Sequence, residues 1–219
     1  MPRLEFHCHT RFSRDSLTEI GPLLAACRKK GIDRLAVTDH NTFAGALVAK
    51  RLDPERVLVG EEILTTEGEL LAVYLKEEVP PGLTPEETIA LLRAQGAFIS
   101  VSHPFDWSRR GSWRPESLAR IAPLVDAIEV FNSRCLSPFA NQKAQAFAEI
   151  HGLPGTVGSD AHTLFEVGRA VIDLPEFHDA GSLKESLARA RFVTRKSSLL
   201  VHFSSRYAAW VKRVGEGRG

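Results

Sequence analysis

Apolar residues fall along this chain in short runs, each closed by polar or charged residues, with stretches of helical spacing between them. LEFH opens the series as a first strand. LTEIGPLLAACRKK, residues 17–30, carries apolar residues at helical spacing, and Gly31 marks its stop. DRLAVTDH reads as a second strand, and VLVGEEI, ELLAVYL, AFISVSH, DAIEVF and GTVGSD as further ones. PEETIALLRAQG, PESLARIAPLV and NQKAQAFAEIHG lie between them as helices. Strand, helix, strand in repetition predicts a parallel sheet with helical crossovers. From about Ser182 the chain predicts a helix, SLKESLARA, an apolar segment, and a last helix with Tyr207 and Trp210, all packing on the same domain. No linker divides the chain, so residues 1–219 are expected to form one domain.

The polar residues that close the strands form a pattern of their own. His7 and His9 end the first strand, Asp39 and His40 the second, and Glu61 and Glu62 follow VLVG. His103 closes AFISVS, Asn132 closes AIEVF, and Asp160 and His162 follow TVGS. The exception is ELLAVYL, which ends in Leu75, Lys76 and Glu77. In a barrel of parallel strands the C-terminal ends converge on one mouth, whereas an open sheet spreads them along a line. A barrel is therefore expected, distorted or incomplete because only about seven strands can be counted.

Those strand ends carry metal chemistry. His7 and His9, at i and i+2 of a strand, project to the same side. Two neutral imidazoles gain little from each other, but both ligate a cation placed between them. The candidate ligands are His7, His9, Asp15, His40, Glu62, His103, Asp160 and His162. That set exceeds one tetrahedral ion and fits two or three ions sharing bridging carboxylates, with Glu62 and Asp160 as bridges. Imidazole mixed with carboxylate suits manganese, zinc or iron. Asp39 reads as a support for His40 or as a helix cap. His151, His178 and His202 fall outside the pattern and read as structural or surface residues.

Composition adds exclusions. Hydrophobic residues make up 43% and charged residues 25%, ordinary for a globular protein, and the net charge is +1. Stable nucleic-acid or membrane binding is not expected from so even a balance. Three widely spaced cysteines form no disulfide framework or CxxC site, and MPRLEFHCHT carries no leader pattern, so the cytoplasm is the expected compartment.

HCHTRFSRDS, TDHN, GEEI, ISVSHP, EVFN and GSDAH, in this order, resemble the PHP (polymerase and histidinol phosphatase) family over residues 4 to about 172. The resemblance implies a distorted (β/α)7 barrel, a two- or three-metal cluster at its C-terminal mouth, and hydrolysis of phosphoesters by hydroxide held between the ions. It places one ion on His7, His9, Glu62 and Asp160. A second falls on Glu62 and His103, with Asp160 or water helping, and a third on Asp15, His40 and His162. Asp160, Glu62 and His103 become the catalytic set, and spacing after Gly60 selects Glu62 over Glu61. Many members have a further histidine after the strand that follows GxE, yet no histidine lies between His40 and His103 here. The second site is therefore expected to lack a protein ligand.

The expected substrate is a small-molecule phosphoester, a monoester or a nucleotide. Arg134 and Asn132, just beyond a strand end, are the candidate substrate-binding residues. Arg109 and Arg110, flanked by Trp107 and Trp113, are candidate sources of further charge. Two rival readings keep the metals: an amide or ester hydrolase, and a non-catalytic regulatory barrel whose second site has decayed.

Overall fold

The computed structural model describes residues 1–109, 111–137 and 139–216. Among the described residues, nine strands alternate with seven α-helices: β1 (Arg3–Glu5), α1 (Ile20–Lys29), β2 (Arg34–Val37), α2 (Ala44–Leu52), β3 (Val57–Leu64) and β4 (Glu69–Val73). There follow α3 (Pro85–Ala94), β5 (Phe98–Val101), α4 (Pro115–Ile121), β6 (Ala127–Asn132), α5 (Ala140–His151) and β7 (Gly155–Gly158). The chain ends with β8 (Ala170–Asp173), α6 (Ala180–Leu187), β9 (Arg191–Thr194) and α7 (Val201–Glu216).

The strands form one sheet in the order β7-β6-β5-β4-β3-β2-β1-β8-β9. It curls into a nearly closed barrel. Just beyond β1 and β7, Cys8 bridges Ala161 in parallel. There the His9 N–H donates to the Ala161 carbonyl at 2.8 Å. Closure is thus made at the mouth, where the first and last barrel strands converge.

Two features depart from the expected run of parallel strands. β4 is antiparallel to both β3 and β5. β3 and β4 form a hairpin whose turn is tied by Thr65 Oγ, which accepts from the Gly68 N–H at 3.1 Å. Trp113 packs on that turn, and a Cβ on Gly68 would lie 2.2 Å from its ring. The second departure is the tail. Residues 170–173 and 191–194 are β8 and β9, an antiparallel extension on β1, so the strands number nine rather than about seven.

Alternation explains how the strands bury both faces. In β2, Ala36 joins one apolar cluster with Phe6, Leu70 and Phe98. Its neighbours Leu35 and Val37 join a second cluster with Leu23 and Cys27 of α1 and Ala46 and Ala49 of α2. The helix α2 is absent from the sequence expectations. Its small residues at 45, 46 and 49 are buried and let it lie close to the sheet. α3 starts on a capping box, Thr84 with Glu87, and α6 on Asp179 with Ser182.

α7 lies across the mouth. Arg134 Nη2 donates to the Val201 carbonyl at 2.9 Å and to Ser205 Oγ at 2.7 Å. Lys212 Nζ donates to the carbonyls of Arg11 and Ser13 in the β1–α1 loop. No helix among the described residues is long and apolar enough to cross a membrane.

Candidate metal centre

The β1 extension sets the two imidazoles, and other side chains fix their tautomers. His7 Nδ1–H donates to Glu129 Oε1 at 2.9 Å. Ser13 Oγ donates to Asp39 Oδ1 at 2.6 Å, so it is free to accept from His9 Nδ1–H at 2.9 Å. Both rings therefore turn Nε2 inward, the two atoms 3.1 Å apart; His9 Nε2 is bare, and His7 Nε2 is bared when an ion displaces its proton. Asp39 also accepts from Thr10 N–H and Thr10 Oγ, each at 2.6 Å, which pins the loop after β1. It is a support for the histidine loop rather than a helix cap.

Two carboxylates complete a compact set. Glu62 Oε2 lies 3.3 Å from His7 Nε2 and 3.4 Å from His9 Nε2. Asp160 Oδ1 lies 3.7 Å and 3.3 Å from the same two atoms. A tetrahedral ion with bonds near 2.0 Å needs ligand separations of roughly 3.3 Å. Glu62 Oε2 and Asp160 Oδ1 are both buried without a well-aligned hydrogen bond; their nearest nitrogens are imidazole ones, His40 Nδ1 at 3.0 Å and His9 Nε2 at 3.3 Å. His7, His9 and Glu62 form a set able to hold a divalent cation, and Asp160 Oδ1 flanks the two imidazoles of that set.

The electrostatics agree. Burial pushes Glu62 and Asp160 upward, but His7 and His40 around the first, and Arg109 and His7 around the second, hold both well below the usual carboxylate range. Burial, with His162 and His40 nearby, holds His9 well below its ordinary value, so it stays neutral, the ligand form. Burial also opposes charge on His7, but Glu62, Asp160 and Glu129 outweigh it and raise His7 well above its usual value. A proton on His7 is what a divalent ion replaces.

Around this core lie two further groupings. His40 Nε2 and His162 Nε2 stand 3.6 Å and 3.2 Å from the two oxygens of Asp15. His162 Nδ1 faces Arg134 Nη1 at 2.6 Å and the Asp160 carbonyl at 2.9 Å, and can satisfy only one. Donation to the carbonyl leaves Nε2 bare for an ion. His103 Nε2 lies 3.0 Å from Glu62 Oε1 and 3.5 Å from Glu69 Oε2. Glu69 Oε1 in turn lies 3.9 Å from His40 Nδ1. His40, Glu62 and Glu69 together could hold an ion, as could His9, His40 and His162. All eight expected ligands thus meet at one mouth.

Glu69 was not among the expected ligands. In a parallel barrel the C-terminus of ELLAVYL would face the mouth, whereas β4 runs backwards and brings its first residue there. Where the sequence offers no histidine for the second position, Glu69 stands 3.5 Å from His103. Glu129 was also missed. A register shift between Glu129 and Phe131 breaks alternation, so Glu129 and Asn132 both turn inward. Glu129 Oε2 accepts from the His103 N–H at 2.9 Å and from Asn132 Nδ2 at 3.0 Å. Glu61 points away from the centre, where it accepts from the Val79 N–H, and burial pushes it up to about 8.

Backbone strain gathers here. His103 and Asp160 have φ of 20° and 52°, the left-handed side that few non-glycine residues adopt. Gly158 admits His7, since a Cβ on it would lie 2.5 Å from His7 Cβ.

The candidate substrate residues divide. Asn132 is buried and spent, donating to Glu129 and, at 3.2 Å, to Asp160 Oδ2. Arg134 borders the mouth, but its guanidinium is occupied by α7 and by Glu166 at 3.2 Å. Arg109 donates to Asp160 and Asp106, and its Nη2 is buried with no partner. Arg110 lies outside the described residues. Trp113 is core, while Trp107 is exposed under Lys143, away from the centre. His202, expected to be structural or surface, borders the mouth, and its Nε2–H donates to the Arg134 carbonyl at 3.1 Å.

Sequence comparison places these residues in a family. A model described as PHP domain matches residues 5–68, and one described as PHP-associated matches residues 138–191. An uncharacterised protein of Methanocaldococcus jannaschii is 38% identical over 184 residues, covering 80% of this chain and 72% of that one. The chain belongs to the PHP family. Solved structures of similar fold include PsfC from Pseudomonas syringae, with TM-score 0.70 and 22% identity over 96% of this chain and 100% of that one. Another is a two-domain protein from Bacteroides vulgatus containing a predicted PHP-like metal-dependent phosphoesterase, with TM-score 0.72 and 19% identity. It is covered over 65% of its length, against 89% of this chain. The PHP match at residues 5–68 takes in His7, His9, Asp15, His40 and Glu62. The second takes in Asp160 and His162.

Proposed function

We propose that this PHP protein is a metal-dependent phosphoesterase that hydrolyses small phosphomonoesters, including nucleotides, in the cytoplasm. One observation carries the reading: Asp15 and His162, each with an unpartnered ligand atom, line a pocket of about 280 Å³ bordered by arginines, and the unpartnered oxygens of Glu62 and Asp160 are buried beside their neighbours His40 and His162. Divalent ions bound there, manganese, zinc or iron, supply hydroxide near neutral pH and offset charge on phosphoryl oxygens. His7, His9, Glu62 and Asp160 are the residues to hold the central ion, with His103 and Glu69 on one side and Asp15, His40 and His162 on the other. Glu62 faces both His7 and His103, one oxygen to each, which suits a bridge. Arg109, fixed by Asp106 and Asp160, keeps Nη2 to donate to a phosphoryl oxygen. The Glu129, Ser13 and Asp39 bonds orient the imidazoles before substrate arrives. The three cysteines are buried and unpaired, which suits a reducing compartment.

Glu69 beside His103 speaks against the decayed regulatory barrel, because the position thought empty carries a carboxyl group able to ligate. The test is phosphate release from p-nitrophenyl phosphate after adding manganese or zinc to metal-stripped protein. Metal-dependent release that disappears in Asp160→Asn is the expected result. Turnover of an amide or carboxyl-ester panel, with no phosphate released by metal-loaded protein, would replace the reading.

A further inference from the structure

The wall of the mouth opposite the barrel is α7, which lies outside both segments that match the PHP models. It presents His202, Ser205 and Arg206 to the pocket. The facing wall is the β1–α1 loop, which presents Arg14 beside Asp15. Arg14 and Arg206 differ from the other arginines of the mouth. Arg134 and Arg109 are tied to carboxylates. Arg14 and Arg206 are exposed, and among the described residues neither side chain makes a hydrogen bond or ion pair.

These two unpaired cations stand on rigid supports. α7 is tied to the β6–α5 loop through Arg134, whose Nη2 reaches Val201 and Ser205, and through His202 at the Arg134 carbonyl. It is tied to the β1–α1 loop through Lys212, which holds the carbonyls of Arg11 and Ser13 on either side of Phe12. The residue carrying Arg14 thus follows directly on a carbonyl that α7 grips. The open edge of the metal centre lies between them: the Asp15 and His40 side chains are 24% and 12% exposed, against 0% for His7, His9 and Glu62. Arg14 and Arg206 both line the pocket onto which that edge opens.

We infer that Arg206 of α7 and Arg14 form a clamp for a dianionic terminal phosphate, which makes this site select phosphomonoesters over phosphodiesters. The inference rests on the phosphoesterase reading of the same centre. A monoester carries close to two negative charges above its second pKa, about 6, and a diester carries one. Two unpaired guanidiniums, each able to bind two phosphoryl oxygens, match the former. A diester would leave one guanidinium without a charged partner and would have to fit a second ester group into the same pocket of about 280 Å³.

The test uses the full chain loaded with manganese, as wild type, Arg206→Ala and Arg14→Ala. Metal content is measured first and is expected to be equal in all three, since neither arginine is a ligand. Inorganic phosphate affinity is then measured by calorimetry. Hydrolysis of p-nitrophenyl phosphate is compared with that of bis(p-nitrophenyl) phosphate. Loss of one charge-assisted contact is expected to weaken phosphate binding about tenfold. Monoester kcat/KM should fall by a similar factor, mainly through KM, with the diester changed less than about threefold. Unchanged phosphate affinity in Arg206→Ala, or equal losses for both esters, overturns the clamp. If wild type turns over neither ester, the phosphoesterase reading falls and calorimetry alone decides the clamp. Wild-type protein that turns over monoester without measurable phosphate binding overturns the clamp and leaves the activity standing.

Discussion

At the scale of single residues, the centre is a set of tautomers fixed before any ion arrives. His9 illustrates the logic. Ser13 Oγ has one proton, given to Asp39, so it can only accept from His9 Nδ1 and from the His40 N–H at 3.1 Å. Removing that hydroxyl leaves Nδ1–H without an acceptor and lets the ring rotate or take the other tautomer. Ser13→Ala is therefore expected to weaken metal binding about 10- to 100-fold, the usual effect of deleting a partner behind a metal-bound histidine. Competition with a chelating dye on metal-stripped and reconstituted protein checks it. Wild-type affinity in the variant would remove Ser13 from the centre. Glu129→Gln belongs to the same class, because it weakens the acceptor of His7 Nδ1–H and of the His103 N–H together.

At the scale of elements, the direction of one strand decides which residues reach the mouth. β4 pairs antiparallel on both sides, so its first residue, Glu69, stands beside His103, and its last, Val73, is at the far end. Glu69→Ala is expected to lower bound metal by about one equivalent and activity at least tenfold, whereas Glu69→His should keep both, since imidazole replaces carboxylate as donor. Elemental analysis of dialysed protein, read beside turnover, tests the pair. Full metal content in Glu69→Ala would exclude Glu69 as a ligand. This strand also marks where the sequence was legible. His7 and His9 on β1, Glu62 on β3 and Asp160 after β7 were readable because a polar residue closing an apolar run is a local signal. Glu69 opens its run, and nothing local says that the strand is reversed. That fact resides in the Thr65–Gly68 turn, too short to admit a crossover helix. Glu129 was hidden for a different reason: it sits mid-strand in AIEVF and turns inward through a bulge that alternation cannot show. The placement of α7 over the mouth depends on Arg134 and Lys212 meeting carbonyls distant in sequence, and periodicity carries no such information.

At the scale of the whole molecule, stability is held at two places with opposite responses to solution conditions. Away from the centre, Asp126 joins three elements: Arg93 of α3, the Ile99 N–H of β5 at 3.0 Å, and Lys184 of α6 at 3.0 Å. Burial pushes its pKa up, but Arg93, Ile99 and Lys184 outweigh burial, and it ends lowered. A carboxyl whose folded pKa lies below its unfolded value contributes stability above the unfolded pKa, and loses it as pH falls through the folded pKa. Asp126→Asn is thus expected to cost roughly 2 kcal/mol near neutrality, with the two melting curves converging in strong acid. A gap that persists unchanged to low pH would mean packing, not charge, is lost. The mouth responds to metal instead. Without cations, His7, His9 and Glu62 crowd their acceptor atoms within 3.4 Å, and Glu62 and Asp160 leave oxygens unpaired. The native state alone assembles this set from β1, β3 and the β7 end, so an ion binds the folded chain and not the unfolded one. Binding of that kind adds RT ln(1 + [M]/Kd), about 2.7 kcal/mol at a hundredfold excess over Kd. For a domain of this size each kcal/mol moves the melting point by about 2 to 4 °C. Chelation is therefore expected to lower Tm by roughly 5 to 10 °C, with recovery on adding manganese or zinc. Asp160→Asn should start near the chelated value and gain little from metal. A chain shown by elemental analysis to have lost its metal, yet melting where the loaded chain melts, would show that the cluster binds no ion with useful affinity and would return the converging carboxylates to a structural role.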